Sequence, residues 1–178
     1  MDRCNQCGFV YEEHGPEVVV AELRQLGPRY RRRLQPPDAG PSGDAVVRRR
    51  PGPEVWSVLE YACHVRDVLL AQRERLYLAL VEDRPSFAPI YRDQRVGLAR
   101  YASEVPERVA GDVEVAVALI CRGFDGLDAA QWSKTCIYNF PTPCERTLAW
   151  LAQHTLHEGE HHLADIDRVA SEVAASPT

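Results

Sequence analysis

The chain has 178 residues, of which 45% are hydrophobic and 26% charged, and a formal net charge of −5. That length suits one globular domain with a real core, and the acidic balance excludes a protein that works by gripping nucleic acid. No run approaches the roughly 18 apolar residues of a membrane helix, and the polar N-terminus lacks a signal-peptide core, so a cytoplasmic protein with reduced cysteines is expected.

Residues 1–15 form a short head carrying Cys4-Asn5-Gln6-Cys7-Gly8. A C-x-x-C pair resembles half of a zinc ribbon, and a structural zinc site needs two more ligands. Cys136 and Cys144, or His14, are the candidates to complete it; free thiols or a redox pair are the alternative. The rest, 16–178, reads as a single domain.

A first helix is expected from Pro16, with Glu17 in its first turn and Val19, Val20, Leu23 and Leu26 as its apolar stripe. Gly27-Pro28 should break or kink it before Leu34. Residues 35–53 hold five prolines and three glycines and read as a loop. The arginine runs at 31–33 and 48–50 flank this stretch and read as a solvated helix end and loop. A second helix is expected over 54–82, where Val55, Leu59, Ala62, Val65, Leu69, Leu76 and Leu80 keep a helical period. A short helix near 94–101 follows, then a third long helix over 106–127. Residues 132–144 read as a hairpin or extended loop. The last helix is expected over 145–173, with Leu148, Leu151, Leu156, Leu163, Ile166 and Val169 inside. Four long helices with long connections predict an all-α bundle. Cys63 and Cys121 fall on helix faces as small core residues.

Four of the six histidines fall within nine residues: His154, His157, His161 and His162. Positions i and i+4 of a helix share a face, so His157 and His161 can reach one metal ion. His64, mid-helix on the apolar face of the second helix, is the best third ligand. Glu158, Glu160, Asp165 and Asp167 flank the cluster and can orient the rings. His162 should point about 100° away from His161 and is expected to be structural. His154 reads as a polar residue at the bundle mouth. Glu60, one turn before His64, is the candidate proton acceptor or supporting partner.

Trp56, Glu60, His64 and Asp67 resemble the second-helix signature of the DinB-like superfamily. Thr147-Leu148-Ala149-Trp150-Leu151, followed by His157-Glu158-Gly159-Glu160-His161-His162-Leu163-Ala164-Asp165-Ile166, is similar to its last-helix signature. The resemblance runs from about Glu17 to Val169 and includes Trp132. It implies a DinB-like four-helix bundle that holds a divalent metal ion on three histidines, here His64, His157 and His161. Zinc is the first choice of metal, with nickel or iron as alternatives. The resemblance also implies thiol S-transferases using mycothiol, bacillithiol or glutathione, and a mycothiol-dependent maleylpyruvate isomerase. Three neutral imidazoles would leave an open coordination position, where a thiol or water becomes a nucleophile. The leading expectation is therefore a metal-dependent thiol S-transferase acting on a small electrophile. A metal-dependent hydrolase or isomerase without a thiol cofactor, and a non-catalytic metal-binding stress protein, are the alternatives. The expected partner is a small molecule, with a homodimer as the candidate assembly and no nucleic acid or membrane. The 35–53 loop is the expected pocket wall.

Overall fold

The computed structural model describes residues 3–35, 43–139 and 141–175. Its first helix, α1, spans Pro16–Leu34, with Gly15 at the N-cap and Pro16 opening the first turn. The expected break at Gly27-Pro28 does not occur. A proline inside a helix costs about 3 kcal/mol, but Leu23, Leu26, Tyr30 and Leu34 are all buried along this helix. Each such burial contributes about 1.5–3 kcal/mol, so tertiary packing outweighs the local penalty.

Residues 36–42 of the expected loop lie outside the described residues. The remainder is not all loop: Gly43–Arg48 forms a short helix, α2, with an Asp44–Arg48 ion pair one turn apart. The next long helix, α3, spans Val58–Val81 and starts four residues later than expected. Ser57 caps it, accepting from the Glu60 N–H while Glu60 accepts from the Ser57 N–H. This reciprocal box satisfies two donors that a helix start leaves unpaired.

After α3 come a two-residue strand β1 (Ser86–Phe87), helix α4 (Arg92–Leu98) and a 3-10 turn at Tyr101–Ser103. Arg100, in the left-handed region at φ 54°, separates the last two. Helix α5 spans Pro106–Asp125 and α6 Ala129–Trp132. Strands β2 (Thr135–Tyr138) and β3 (Cys144–Thr147) form a hairpin that runs three residues beyond the expected 132–144 stretch, into residues expected to open the last helix, and β1 adds to β2 in parallel. The last helix, α7, spans Leu148–Ala175.

The four long helices α1, α3, α5 and α7 make a four-helix bundle. In it α1 and α3 each pack on both α5 and α7, so helices consecutive in sequence, α1 with α3 and α5 with α7, stand on the diagonals. A diagonal step needs a longer connection than an adjacent one, which accounts for the long segments before α3 and α7. The pairing of α3 with α7 sets His64 against the histidine-rich stretch. Among the described residues no helix is long and apolar enough to cross a membrane.

Candidate metal centres

Helix α7 buries Leu148, Leu151, Ala152, Thr155, Leu156, Gly159, His162, Leu163, Ile166, Val169 and Val173, a stripe of helical period. Gly159 lies at a close approach to α1. A Cβ there would overlap Leu26, whose Cδ2 and Cγ would lie 3.1 and 3.3 Å from it. The buried Tyr30 hydroxyl donates to the Gly159 carbonyl at 2.8 Å. These contacts fix the rotation of α7 about its axis and so decide which ring faces where.

His162 is on the buried stripe and meets His64 from α3, both at most 5% exposed. Their rings pack edge to face at 4.9 Å. Glu158, one turn before His162, places Oε2 at 3.9 Å from His64 Nε2 and 3.8 Å from His162 Nε2. One donor atom from each of these three residues lies within 4.8 Å of the others. Tetrahedral ligands at about 2.0–2.2 Å from an ion stand about 3.4 Å apart, so a small inward shift would close this group on a metal. One further observation fits such an ion. His162 Nδ1 is held by Asp165 Oδ2 at 2.9 Å, which leaves Nε2 for a ligand. A carboxylate on the far nitrogen is how ligand histidines are commonly oriented.

The charges agree. Burial works to raise Glu158, but His154, His162, His64 and His157 outweigh it and hold the carboxyl down to about 2. Burial and the neighbouring His162 hold His64 down to about 4. At neutral pH the group therefore offers one carboxylate and a neutral imidazole at His64, the forms that bind metal.

His157 and His161 lie one residue earlier on α7, and 100° of rotation puts them on the neighbouring face. Among the described residues no group of donors joins them to His64; they gather instead with Cys4 and Cys7, all four donor atoms within 4.8 Å of one another. The expected set of His64, His157 and His161 is thus divided between two groups. The reason is geometric: α7 carries two interleaved i, i+4 pairs, and α3 faces Glu158/His162. The sequence reading favours the His157/His161 pair for its i, i+4 spacing, sets His162 aside as pointing about 100° away and gives Glu158 only a ring-orienting role. The buried stripe held the missing signal, since His162 falls on it and His157 and His161 do not.

The other expected residues separate as follows. Cys136, on β2, is fully buried, donates to the Arg146 carbonyl, and is pushed up to about 11 by burial. Cys144 is exposed on β3. His14 bonds Glu22 at 2.8 Å and stacks on Phe9. Among the described residues none of these three groups with Cys4 and Cys7. Cys63 and Cys121 are buried in the core, as expected. Glu60, expected beside the chemistry, is 3% exposed and engaged by Arg50 Nη2 at 2.6 Å, Arg50 Nε at 2.8 Å and the Ser57 N–H at 2.8 Å. Its carboxylate is committed to capping α3, a structural task. His154 is more than a mouth residue: it bonds the Tyr11 hydroxyl at 2.9 Å, stacks on Trp150 and places Nε2 3.6 Å from Glu158 Oε1.

Two cavities reach the His64/Glu158/His162 group. The first, of about 280 Å³, has His64, Glu158 and His154 on its inner wall and Arg75, Tyr138 and the 87–94 segment around it. The second has His162, Trp56, Tyr61 and Asp165 in its wall together with Cys7 and His161 of the other donor group. Arg92 and Asp93 border both. The expected 35–53 wall is replaced, among the described residues, by the segment leading into α4.

A family model described as the DinB superfamily matches residues 22–166. Among solved structures, the chain is similar to YfiT from Bacillus subtilis, described as a probable metal-dependent hydrolase with an unusual four-helix bundle topology. The TM-score is 0.77 at 15% identity, covering 90% of this chain and 89% of that one. It is also similar to a mycothiol-dependent maleylpyruvate isomerase, with a TM-score of 0.62 at 17% identity, covering 95% of this chain and 65% of that one. No curated protein matches the sequence.

Proposed function

The chain belongs to the DinB superfamily, and on that footing we propose that it is a metal-dependent enzyme whose divalent ion is held by His64, Glu158 and His162. We further assign it the transfer of a low-molecular-weight thiol, of the mycothiol type, to a small electrophile. The observation that carries this reading is a group of metal-type donors at a cavity, with His64 and Glu158 in its wall and the Nε2 of His162 turned to them. A small substrate in that cavity can reach the ion. Two imidazoles and one carboxylate suit zinc, and also nickel or iron. When bound, such an ion supplies a Lewis acid that makes a thiol or a water acidic.

The chain's own residues do the rest. Asp165 holds His162 in orientation through Nδ1. Arg75 and Arg92 give the first cavity a cationic rim that suits a substrate bearing a carboxylate. His154, fixed at Nδ1 by Tyr11 and lining that cavity, is placed to take up the thiol proton. The second reading, a metal-dependent hydrolase, is favoured by the likeness to the Bacillus subtilis structure. One experiment separates them. The metal-loaded protein is offered mycothiol, bacillithiol or glutathione together with a generic electrophile, and product masses are read. A thiol adduct that disappears in His162→Ala supports transfer. A product that gains water without any thiol establishes hydrolysis, and turnover undiminished in His162→Ala removes the metal centre from the reaction.

A further inference from the structure

The head is built around a second donor group that the proposed reaction does not use. Cys4 and Cys7 stand on a tight turn in which the Gly8 N–H donates to the Cys4 carbonyl at 2.9 Å and the Cys4 N–H to the Phe9 carbonyl at 2.9 Å. Gly8 adopts φ 78°, a left-handed conformation that glycine takes at little cost. The Arg3–Val10 bridge closes the turn. Backbone N–H groups of Gln6 and Cys7 face the Cys4 sulfur. The turn thereby presents two sulfurs to one side, towards α7.

There they meet His157 and His161. Cys4 Sγ lies 3.8 Å from His161 Nδ1. Tetrahedral zinc with bonds of about 2.0 Å to nitrogen and 2.3 Å to sulfur spaces its ligands about 3.4–3.8 Å apart. His157 Nδ1 is held by the Tyr11 hydroxyl at 3.1 Å, and its Nε2 is buried with no hydrogen-bond partner. His161 turns Nε2 to Asp165 at 3.6 Å, leaving Nδ1 for the sulfurs. Each ring thus has a polar partner on its far nitrogen and the near one turned to the group, the usual support of a ligand histidine. The spacing, C-x2-C on a turn and H-x3-H on a helix, is that of structural zinc sites.

We propose that Cys4, Cys7, His157 and His161 bind a structural zinc ion that staples the head to α7. Binding releases the two thiol protons to solvent, and two thiolates then balance the ion's charge. All four positions are filled by protein, so this ion is closed to substrate. Residues 3–15 bury little else, apart from Tyr11, and the ion supplies the cross-link that so short a segment lacks. It also holds Tyr11 against His154 and His157.

The test is metal stoichiometry on the full chain. Zinc-loaded, dialysed protein should carry two ions per chain; Cys4→Ser/Cys7→Ser should carry one, and His162→Ala should carry the other. The cobalt-loaded wild type should show a thiolate-to-cobalt charge-transfer band in the near ultraviolet, a readout that needs no variant to fold. That band should vanish in Cys4→Ser/Cys7→Ser and persist in His162→Ala. Wild-type protein without the band overturns the proposal, whatever becomes of the first centre. A band that is present while His162→Ala keeps full stoichiometry instead removes the His64/Glu158/His162 ion and leaves this one standing.

Discussion

Two neighbouring faces of α7 carry metal-type donors in the same i, i+4 spacing, and they differ in what completes them. Glu158 and His162 point into the bundle and are met by His64 from α3, a rigid helix. His157 and His161 point to the head and are met by two sulfurs on a turn. The inner group has three protein donors, two of them in the wall of the first cavity. The outer group has four, which leaves an ion no free position. On the proposed reading, one residue of offset along a helix separates an open, chemistry-bearing arrangement from a closed, structural one.

The largest effect should come from taking the inner face apart. His162→Ala removes a ligand and the ring that packs on His64, and should lower turnover by at least about 100-fold with loss of the inner ion, read by steady-state kinetics and metal analysis. The outer ion should stay. Loss of both ions together would show that the two faces are one unit.

The next effect should strike both faces at once. Gly159 lies between the pairs, its carbonyl held by Tyr30 and the place of a Cβ taken by the Leu26 side chain. Gly159→Ala must displace the buried Leu26 side chain or push α7 away from α1, and should destabilise the fold by about 1–3 kcal/mol, measured by denaturant unfolding. A stable variant with both ions retained would mean that this contact does not set the rotation of α7.

How much of this was legible follows from the same helix. The four long helices could be read because apolar residues recur at helical period, and because Pro16 and Pro106 mark helix starts. The start of α3 was misplaced because Ser57 and Glu60, which form a capping box, were not read as one. The unbroken run of α1 through Pro28 could not be read locally, since burial across the bundle decides it. The site was legible as a region and not as a pairing. His154, His157, His161 and His162 are equivalent as a string of letters, and only the rotation of α7 against α3 sorts them. The link between Cys4 and His161 spans 157 residues, and no periodicity encodes it.

A smaller effect should touch the inner face alone. Asp67, on α3 near His64, accepts from the Tyr101 hydroxyl at 2.7 Å, Arg66 Nε at 2.9 Å and Arg95 Nη1 at 3.2 Å. It ties α3 to the elements that follow the 87–94 cavity wall. Burial would raise its carboxyl, but Tyr101, Arg66 and Arg95 hold it below its ordinary value. A depressed carboxyl contributes stability that is present above its unfolded value, near 3.9, and is lost as pH falls through the lower folded value. Asp67→Asn should cost about 1–2 kcal/mol at neutral pH and progressively less below about pH 4. Substrate affinity should weaken with the wall while the outer ion remains. An unfolding difference that grows as the pH falls would reverse the sign and refute this role.

The smallest effect should touch the outer face first. The Tyr11 hydroxyl lies 2.9 Å from His154 Nδ1 and 3.1 Å from His157 Nδ1, so it spans a ring of the first cavity and a ligand of the second group. Its ring stacks on Trp150 at 5.7 Å and is 7% exposed, so packing should survive loss of the hydroxyl. Tyr11→Phe removes only the polar link, about 1 kcal/mol of hydrogen bonding. Loss of such support to a ligand histidine weakens metal binding by about 10-fold or somewhat more. Zinc competition against a chelator should therefore show the outer ion released about 10-fold more readily and the inner one unchanged. Activity should fall by less than the outer affinity, because His154 keeps its stacking on Trp150 and its approach to Glu158. If the inner ion were weakened instead, Tyr11 would act through His154 on Glu158, and the head would belong to the chemistry and not merely to the fold.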